Sequence, residues 1–424
     1  MRFLQTTLLL LLCMFTAGAQ TTEPAPGATR LRFNADPSLV YGEYGMYVPG
    51  ESLSKAPKGY EPVYIAIYCR HGARYALQES VYEDVLGVFQ MARDSARLTA
   101  KGEDFLKRYE VLYPHVAHKG GILTDKGRRQ LYDMGAKMVK DYPSVFKGQT
   151  RGRGVATSIL RTQESMKSFI EGVKSEDGDF DTSFDAGEKY NSLLLPRDAP
   201  VAEKINLSYT PEATESLNAF TARHSNPAGF LEKFFTDMAF VSRHAKPGLL
   251  QKWMRTVIVD LPCIDYESPD RFEDIFTFDE LYDMWRIWNY RGYLMMGNSP
   301  LMFEECSKVC EPALAEIIRN VDEDLSSGLR LNMMFSHDVG LLPLLSYMHV
   351  SNFGAAVADP ERVEDYWDSS YCTMAANLQL IFYRNRKGDI LVKPLLNGAE
   401  TTLPFQSVKG PYYSWKAFKE YYRK

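Results

Sequence analysis

The sequence predicts an α/β protein: a mostly parallel β-sheet flanked by helices, with an inserted, mainly helical domain. Apolar, β-rich runs alternate with amphipathic helical stretches in both terminal parts of the chain. Polar residues follow directly after three of these runs, and strand-like runs become rare between residues 183 and 327. Because alternating strands and helices form parallel sheets covered on both faces, this order favours one such sheet interrupted by a helical insertion.

The first predicted elements are a strand and a helix. Residues 62–68 form an apolar, β-rich run that predicts a buried central strand and leads straight into residues 70–72, Arg-His-Gly. Residues 123–141 have helical spacing, and Thr124 can cap the start of this helix. The apolar residues of the helix share one face: Leu131, Met134, Met138 and Val139.

The middle of the chain predicts one further strand and then mainly helices. Residues 153–157 indicate a short strand, followed by a helix over residues 161–172. Beyond these, the clearest amphipathic helical stretches are residues 276–296 and 310–325.

Strand character returns near the C-terminus. Residues 331–335 predict a strand that leads into residues 336–338, Ser-His-Asp. Residues 378–383 and 390–396 alternate like strands, and a turn around residues 385–388 joins them.

The N-terminus has the three parts of a signal peptide, predicted here for residues 1–19. Arg2 supplies the positive start, residues 8–15 are an apolar run too short for a membrane span, and residues 17–19, Ala-Gly-Ala, form a cleavage site. We therefore expect export of the mature chain to a periplasmic or extracellular location.

The mature chain is expected to have three parts. Residues 20–34 are rich in Thr, Pro and Gly and predict a flexible leader. Residues 35–182 and 328–424 are expected to form the α/β core, and residues 183–327 an inserted, mainly helical cap domain. No later segment is long and apolar enough to cross a membrane, so we expect no integral membrane segment in the mature chain.

Composition limits the class of partner. The chain has 424 residues, of which 45% are hydrophobic and 24% charged, values that are ordinary for a soluble globular enzyme. The formal net charge of -5 argues against nucleic acid as the main partner. An anionic substrate would therefore have to be bound by a local cluster of cations.

Export permits disulfides, and five cysteines remain after the predicted cleavage: Cys69, Cys263, Cys306, Cys310 and Cys372. Cys69 lies in an apolar run and is expected to be a small buried thiol. Pairing among the other four is left open, and an odd number leaves at least one free thiol. No His or Cys partner lies at zinc-finger spacing, so we expect no metal site from these cysteines.

The polar residues after the three strands are candidates for a catalytic site, because ligands of open α/β sheets bind beyond the carboxyl ends of the strands. The candidates are Arg70, His71, Arg74, Arg161, His337 and Asp338. If the three strands lie side by side, these residues converge on one crevice. The pattern Arg-His-Gly-x-Arg after a β-rich run is a specific signal, whereas an isolated arginine such as Arg161 is a weak one.

These residue types suit the transfer of a phosphoryl group. Neutral His71 can attack phosphorus and become phosphohistidine, which splits hydrolysis into two steps. The three arginines and His337 can bind phosphate oxygens, and Gly72 is expected to let the backbone approach the phosphate closely. Asp338 can protonate the leaving oxygen and then activate water. The scheme requires no metal or other cofactor and implies a small anionic phosphomonoester as partner.

Several of these segments resemble a known family. Residues 68–75, Tyr-Cys-Arg-His-Gly-Ala-Arg-Tyr, and the Ser-His-Asp of residues 336–338 are similar to the acid-phosphatase and phytase branch of the histidine phosphatase superfamily. Further similar segments are residues 123–130, 155–165, 376–379 and 395–398, so the resemblance spans about residues 46–404. It implies a phosphoglycerate-mutase-like fold. It also implies that His71 is the nucleophile and that Asp338 is the proton donor. The residues that it implies for the phosphate clamp are Arg70, Arg74, Arg161 and His337.

The sequence predicts one type of reaction but leaves two classes of substrate open. Residues 337–348 are especially similar to the multiple inositol polyphosphate phosphatase subgroup, which implies inositol polyphosphates such as phytate. That subgroup typically has His-Ala-Glu where this chain has His337-Asp338. Sugar or aryl phosphates, hydrolysed with broad specificity, are the alternative.

Two other classes of protein fit the motifs less well. The motifs of metal-dependent HD-type phosphohydrolases sit on helices, whereas both motifs here follow predicted strands. A non-catalytic exported binding protein of this fold usually loses the nucleophile or an arginine, and all of them are present here. The oligomeric state is left open.

Overall fold

A computed structural model describes residues 23–52, 54–266 and 272–423. The predicted signal peptide, residues 1–19, lies outside the described residues. Among the described helices, none has both the length and the apolar character that crossing a membrane would require.

Eight strands form one sheet within the described residues. They are β1 (Tyr60–Arg70), β2 (Arg151–Ala156), β3 (Asp181–Ala186), β4 (Leu331–Ser336), β5 (Asn377–Asn385), β6 (Ile390–Leu396), β7 (Ala399–Glu400) and β8 (Tyr413–Ser414). The α-helices of the described residues are α1 (Ala28–Ala35), α2 (Ser80–Asp94), α3 (Ala100–Val116), α4 (Asp125–Asp141), α5 (Leu160–Glu176), α6 (Asn191–Leu194), α7 (Pro211–His224), α8 (Pro227–Leu231), α9 (Met238–His244), α10 (Pro247–Asp260), α11 (Phe278–Met296), α12 (Glu311–Ser327), α13 (Asp338–Tyr347), α14 (Val363–Tyr366) and α15 (Trp415–Tyr422).

The sheet has the strand order β3-β2-β4-β1-β5-β6-β7, with β8 paired to β6. Strands β3, β2, β4 and β1 pair in parallel, whereas β5, β6, β7 and β8 add antiparallel pairs beyond β1. The predicted α/β class with a parallel core is confirmed. Within the extension, the pairing of β5 with β6 has a local cause: the short turn that connects them reverses the chain, so the two strands can pair only as a hairpin.

Strand β1 is buried on both faces, as its continuous apolar sequence predicts. Alternate residues contribute to different cores: Ile65, Ile67 and Cys69 on one face, and Tyr64, Ala66 and Tyr68 on the other. Helices α4 and α5 pack in the first core, and α12 and α13 pack in the second. The predicted apolar face of α4 is confirmed, and Thr124 caps this helix by accepting the N–H of Gly127 at 3.1 Å.

The register of the parallel strands decides which residues meet at the edge of the sheet. Arg70, the last residue of β1, pairs with Ser336, the last residue of β4. Ala156, the last residue of β2, pairs with the preceding Phe335. The residues that follow the three strands therefore emerge side by side at one edge of the sheet.

A third hydrophobic core is helical and does not follow the expected domain boundaries. It combines residues of α8 to α11 with residues of α1, α2 and α3, which come before the expected insertion. Strand β3 crosses the expected boundary at residue 183. Helix α12, expected in the cap, instead packs on the sheet. The reason is that its apolar face covers strands that are far away in sequence, which local patterning cannot reveal.

The expectation of a flexible leader is wrong for residues 28–34, which form most of α1. Phe33 is fully buried, and its ring lies 4.3 Å from that of Trp285. The backbone N–H of Gly27 donates to the Asp365 carboxylate at 3.0 Å, and the Thr29 hydroxyl donates to the carbonyl of Glu364 at 2.8 Å. The Thr, Pro and Gly content that indicated a leader lies mostly before this helix.

The five cysteines of the described residues are all buried and unpaired: Cys69, Cys263, Cys306, Cys310 and Cys372. The prediction that Cys69 is a small buried thiol is confirmed. Cys306 and Cys310 lie in one short helical turn, yet they do not form a disulfide.

Candidate active site

His71 is the first residue after β1 and is almost completely buried. Its backbone N–H donates to the carbonyl of Ser336 at 3.0 Å, and its own carbonyl accepts from Ala375 at 2.8 Å. The imidazole Nδ1 lies 2.8 Å from the carbonyl oxygen of Gly72. A carbonyl can only accept, so Nδ1 carries the proton in this contact and Nε2 is left with its lone pair.

The surroundings of His71 keep this imidazole neutral. Burial lowers its pKa well below the usual value, and the positive charges of Arg70 and Arg161 lower it further. A neutral imidazole with a free Nε2 lone pair is the form that can act as a nucleophile.

Arg70 and Arg74 are both buried beside this histidine. Nη1 of Arg70 donates to two backbone carbonyls, those of Glu43 at 2.5 Å and Cys372 at 2.6 Å. Nη1 of Arg74 donates to the carbonyl of Tyr75 at 2.8 Å. The backbone therefore holds both guanidinium groups in place without neutralising their charge.

Arg161 comes from α5, and its Nη2 lies 3.3 Å from Nδ1 of His337. Nε2 of His337 lies 3.2 Å from the hydroxyl oxygen of Thr157, the residue directly after β2. Burial and the charge of Arg161 lower the pKa of His337 to about 3, so this imidazole is neutral. Burial and Arg74 lower the pKa of Arg161 to about 10, which still leaves it charged at neutral pH.

Asp338 opens α13, directly after His337. One carboxylate oxygen accepts the N–H of Val339 at 2.9 Å, and the other lies 3.4 Å from Nη2 of Arg70. Burial favours the neutral acid, but Arg70 and Arg74 outweigh it and hold the pKa of this carboxyl below its usual value. The carboxyl is therefore ionised in the free protein above acidic pH, whereas a proton donor must carry a proton.

The six predicted site residues thus lie in one cluster. The rings of His71 and His337 have centroids 5.3 Å apart, and ion-pair or hydrogen-bond contacts join Arg161 to His337 and Arg70 to Asp338. The Nε–H groups of Arg70, Arg74 and Arg161 are buried and have no hydrogen-bond partner among the described residues. Buried donors without acceptors are costly, and the oxygens of a tetrahedral anion would satisfy such donors.

Gly72 has a packing role in addition to the role that the sequence predicts for it. A Cβ atom at this position would come within 2.4 Å of the carbonyl oxygen of Gly127 on α4. A Cβ atom on Gly127 would in turn come within 2.1 Å of the carbonyl oxygen of Ala73. Glycine is required here because the motif backbone packs directly against helix α4, which is a different reason from close approach to a phosphate.

Sequence reasoning missed the residues that hold the motif from outside it. Ser165 accepts the N–H of Gly72 at 3.0 Å, and Gln130 accepts the N–H of Ala73 at 2.8 Å. Thr157 holds His337, as described above. Thr157 had a usable signal, because it directly follows a predicted strand at the same edge of the sheet. Ser165 and Gln130 lie within helices, and their one signal was that residues 155–165 and 123–130 resemble segments of the family.

Among the described residues, one group has the geometry to hold a metal ion: Glu79, Glu83 and His118. It includes none of the six site residues. The six site residues include one carboxylate, Asp338, and three guanidinium groups. That excess of positive charge suits an anion rather than a cation.

A family model described as histidine phosphatase superfamily (branch 2) matches residues 65–397 of this chain. The match includes β1 with the Arg-His-Gly motif, β2, α5 and β4 with the residues that follow it. None of the curated proteins matches the chain.

Solved structures with similar folds include multiple inositol polyphosphate phosphatase of Bifidobacterium longum in complex with inositol hexasulfate. Its TM-score is 0.74 at 16% sequence identity, and the aligned region covers 90% of this chain and 96% of the Bifidobacterium chain. The phytase of D. castellii has a TM-score of 0.66 at 14% identity, covering 91% and 84%. The phytase of Hafnia alvei with myo-inositol hexakis sulphate has a TM-score of 0.53 at 11% identity, covering 87% and 98%. At these identities the likeness shows the fold.

Proposed function

The chain belongs to branch 2 of the histidine phosphatase superfamily, and on that premise we propose that it hydrolyses phosphomonoesters through a phosphohistidine formed on Nε2 of His71. One observation carries this proposal: a neutral, buried imidazole with its Nε2 lone pair free lies among three guanidinium groups that have unused buried donors. The arginines would neutralise the phosphate, and the imidazole would attack it.

The proposed reaction has two displacement steps at phosphorus. In the first, Nε2 of His71 forms a bond to phosphorus, the bond from phosphorus to the ester oxygen breaks, and Asp338 gives its proton to the departing oxygen. In the second, water attacks phosphorus and gives a proton to Asp338, the N–P bond breaks, and phosphate leaves. The proton on Nδ1 of His71, bound to the carbonyl of Gly72, keeps the ring in one tautomer throughout.

Asp338 gains its proton only if its pKa rises when substrate binds. Its carboxylate is ionised in the free protein because positive charges surround it. A bound phosphate dianion would offset those charges and would itself disfavour a neighbouring carboxylate. The substrate would therefore prepare its own proton donor.

Inositol polyphosphates such as phytate are the proposed substrates. The solved structures named above carry such activities in their names, and two of them hold sulfate analogues of an inositol polyphosphate. The similarity of residues 337–348 to the same subgroup supports this choice. No metal is required, because the arginines supply the positive charge that a metal would otherwise provide.

Hydrolysis of sugar or aryl phosphates is the second candidate, and one observation favours it. Leu77, Ile122 and Leu160 are large apolar side chains that are about half exposed or more. They lie near Arg161, since Leu160 precedes it and Gly121 lies close to both Arg161 and Leu77. Such side chains suit an apolar leaving group better than a polyanion.

Export to a periplasmic or extracellular location is proposed from the signal peptide of residues 1–19. The three parts of that segment support it: the positive start, the short apolar run and the small-residue cleavage site. Determining the N-terminal residue of the secreted or periplasmic protein tests this, with residue 20 as the expected start.

The phosphohistidine is tested by a rapid denaturing quench with radiolabelled substrate. The quench must be alkaline, because the N–P bond of phosphohistidine survives alkali and hydrolyses in acid. We expect label on His71 in the wild type and none in His71→Ala, which should also lose turnover. Label on serine or aspartate would contradict the mechanism.

Two assays separate the candidate functions. Product analysis from phytate, compared with rates on glucose phosphates and p-nitrophenyl phosphate, tells the substrate classes apart. Activity that survives EDTA supports the metal-independent reaction, whereas its loss and recovery with added metal would favour a metal-dependent phosphohydrolase.

A further inference from the structure

Asp260 is a buried carboxylate close to the Arg-His-Gly-x-Arg motif, although it comes from the helical part of the chain. It is the last residue of α10 and is 1% exposed. One carboxylate oxygen accepts the hydroxyl of Tyr82 at 2.9 Å, and that hydroxyl accepts the backbone N–H of Ala76 at 2.8 Å. The other oxygen has no hydrogen-bond partner among the described residues. Asp260 is thus tied to the backbone two residues after Arg74.

Arg74 is the guanidinium that this carboxylate acts on. Its Nη1 donates to the carbonyl of Tyr75, and its Cζ lies 5.3 Å from the ring centre of Tyr44. Its buried Nε has no partner among the described residues. Tyr44 and the negative charge of Asp260 raise the pKa of Arg74 against the effect of its burial. Burial raises the pKa of Asp260, and the positive charge of Arg74 opposes that rise. Asp260 and Arg74 therefore interact electrostatically.

We propose that Asp260 is a positioning residue for phosphate binding: through Tyr82 it holds the Arg74–Ala76 segment, and when ionised it competes with the bound anion for the charge of Arg74. This rests on the proposed phosphate site. Anion affinity should consequently depend on the ionisation of Asp260, so that the site binds tightly when this carboxyl is neutral and less tightly when it is charged.

Asp260 has a reason to titrate near neutral pH. Burial raises the pKa of its carboxyl to about 7, although Arg74, the Tyr82 hydroxyl and the Ala76 N–H all act in the opposite direction. Few neighbours share that range. Burial raises the pKa values of the groups packed around it that could otherwise lose a proton: Tyr44, Tyr82 and Cys263.

The other charged or titratable groups of the site keep one state between weakly acidic and weakly basic pH. His71 and His337 stay neutral because their pKa values are lowered, and Asp338 is ionised in the free protein for the same reason, although a bound dianion would raise its pKa. Glu43 is the exception: it is buried beside Arg70, and burial raises the pKa of its carboxyl. The test must therefore distinguish Asp260 from Glu43 and from Asp338.

Sulfate is a suitable probe, because it is a tetrahedral dianion whose own charge does not change across the range of interest. We expect the dissociation constant of sulfate, measured by calorimetry on the wild-type protein, to rise roughly fivefold between about pH 5.5 and about pH 8.5. Asp338→Asn measures the part of this dependence that comes from Asp338 gaining a proton with the anion, and Asp260→Asn should lose the remaining part. Glu43→Gln should retain the wild-type dependence.

Tyr82→Phe is a second variant that leaves the carboxylate in place. It removes the hydroxyl that stabilises ionised Asp260, so the midpoint of the affinity change should move upward by about one pH unit. Tyr64→Phe is a matched control, because the Tyr64 hydroxyl donates to the buried carboxylate of Asp324 at 2.7 Å on the covered face of the sheet. The control should leave the midpoint unchanged.

Thermal unfolding gives a readout that does not depend on binding. A carboxyl with a raised folded pKa binds more protons in the folded state, so its contribution to stability is lost as pH rises from its unfolded pKa, about 4, to about 7. The melting temperature of Asp260→Asn, relative to that of the wild type, should therefore rise as pH increases across this range. A difference that is constant with pH would overturn the titration of Asp260.

The outcomes separate this proposal from the proposed function. Sulfate affinity that is independent of pH in the wild type, or unchanged pH dependence in Asp260→Asn, overturns the role of Asp260 alone. A dependence that disappears in Glu43→Gln overturns it in favour of Glu43. A wild-type protein that neither binds sulfate nor releases phosphate overturns both proposals.

Discussion

The Nη2 atom of Arg161 lies 3.3 Å from Nδ1 of His337. Because a guanidinium can only donate, His337 accepts at Nδ1 and carries its proton on Nε2, where it can donate to Thr157 at 3.2 Å. Both ring nitrogens are thus engaged. For His337 to donate to a phosphate oxygen, as the sequence predicts, the anion must take over the contact with Arg161 and a proton must move to Nδ1.

Replacing Arg161 should therefore weaken the binding of substrate more than it lowers the rate of hydrolysis of an ester that has a good leaving group. We expect Arg161→Gln to lower kcat/KM by roughly ten- to a hundredfold, the value of one or two charge-assisted hydrogen bonds. Arg161→Lys should recover only part of this, because lysine cannot bind two oxygens in parallel. Arg151→Gln is the control, since Arg151 begins β2 at the opposite end of the strand. Equal losses in both variants would argue against a clamp.

Asp338→Asn tests the proton donor. Alkyl phosphates need protonation of the leaving oxygen, so we expect kcat to fall by about a hundredfold or more on them. p-Nitrophenolate leaves without help, and its ester should lose less than about tenfold. Steady-state rates on the two esters measure the difference, and a similar loss on both would exclude general-acid catalysis by this carboxyl.

The pH profiles of kcat and kcat/KM should differ in the pH at which activity falls on the alkaline side. The lowered pKa of His71 keeps the nucleophile neutral into the acidic range, so the acidic limb should lie well below pH 6.5. The lowered pKa of Asp338 means that kcat/KM, which reports the free enzyme, should fall as pH rises from acidic values. On the proposed mechanism, bound phosphate raises that pKa, so the falling limb of kcat should lie at higher pH. Coincident limbs would contradict this coupling.

Gly72→Ala should destabilise the protein as well as the site. The new Cβ would lie 2.4 Å from the carbonyl oxygen of Gly127, and a backbone atom cannot move aside cheaply. We expect a loss of about 1–3 kcal/mol in the free energy of unfolding, measured by denaturant titration. Gly87→Ala provides the contrast: a Cβ there meets nothing within 4 Å, so it should stabilise α2 by about 0.5–1 kcal/mol. Unchanged stability in Gly72→Ala would refute the packing argument.

Much of the fold was predictable because its signals are local. Strands β4 and β6 and helices α4, α11 and α12 lie within a few residues of their predicted bounds, since periodicity and capping residues mark them in sequence. Helix α1 was missed because its one fully buried anchor, Phe33, packs on Trp285, which is distant in the chain. Helices α2 and α3 were not predicted, and they join the helical core through contacts of the same long-range kind.

The residues of the candidate site could be predicted from the sequence, but their protonation states could not. The sequence by itself determined that Arg70, His71 and His337 follow parallel strands, and parallel strands bring their carboxyl ends to one edge. Only the tertiary structure decided which nitrogen of His71 is free, that the pKa of Asp338 is lowered, and that Asp260 lies beside Arg74. The physical reason is that protonation states follow from burial and from charges brought close by folding. Those distances are set by packing between segments that the linear order leaves far apart.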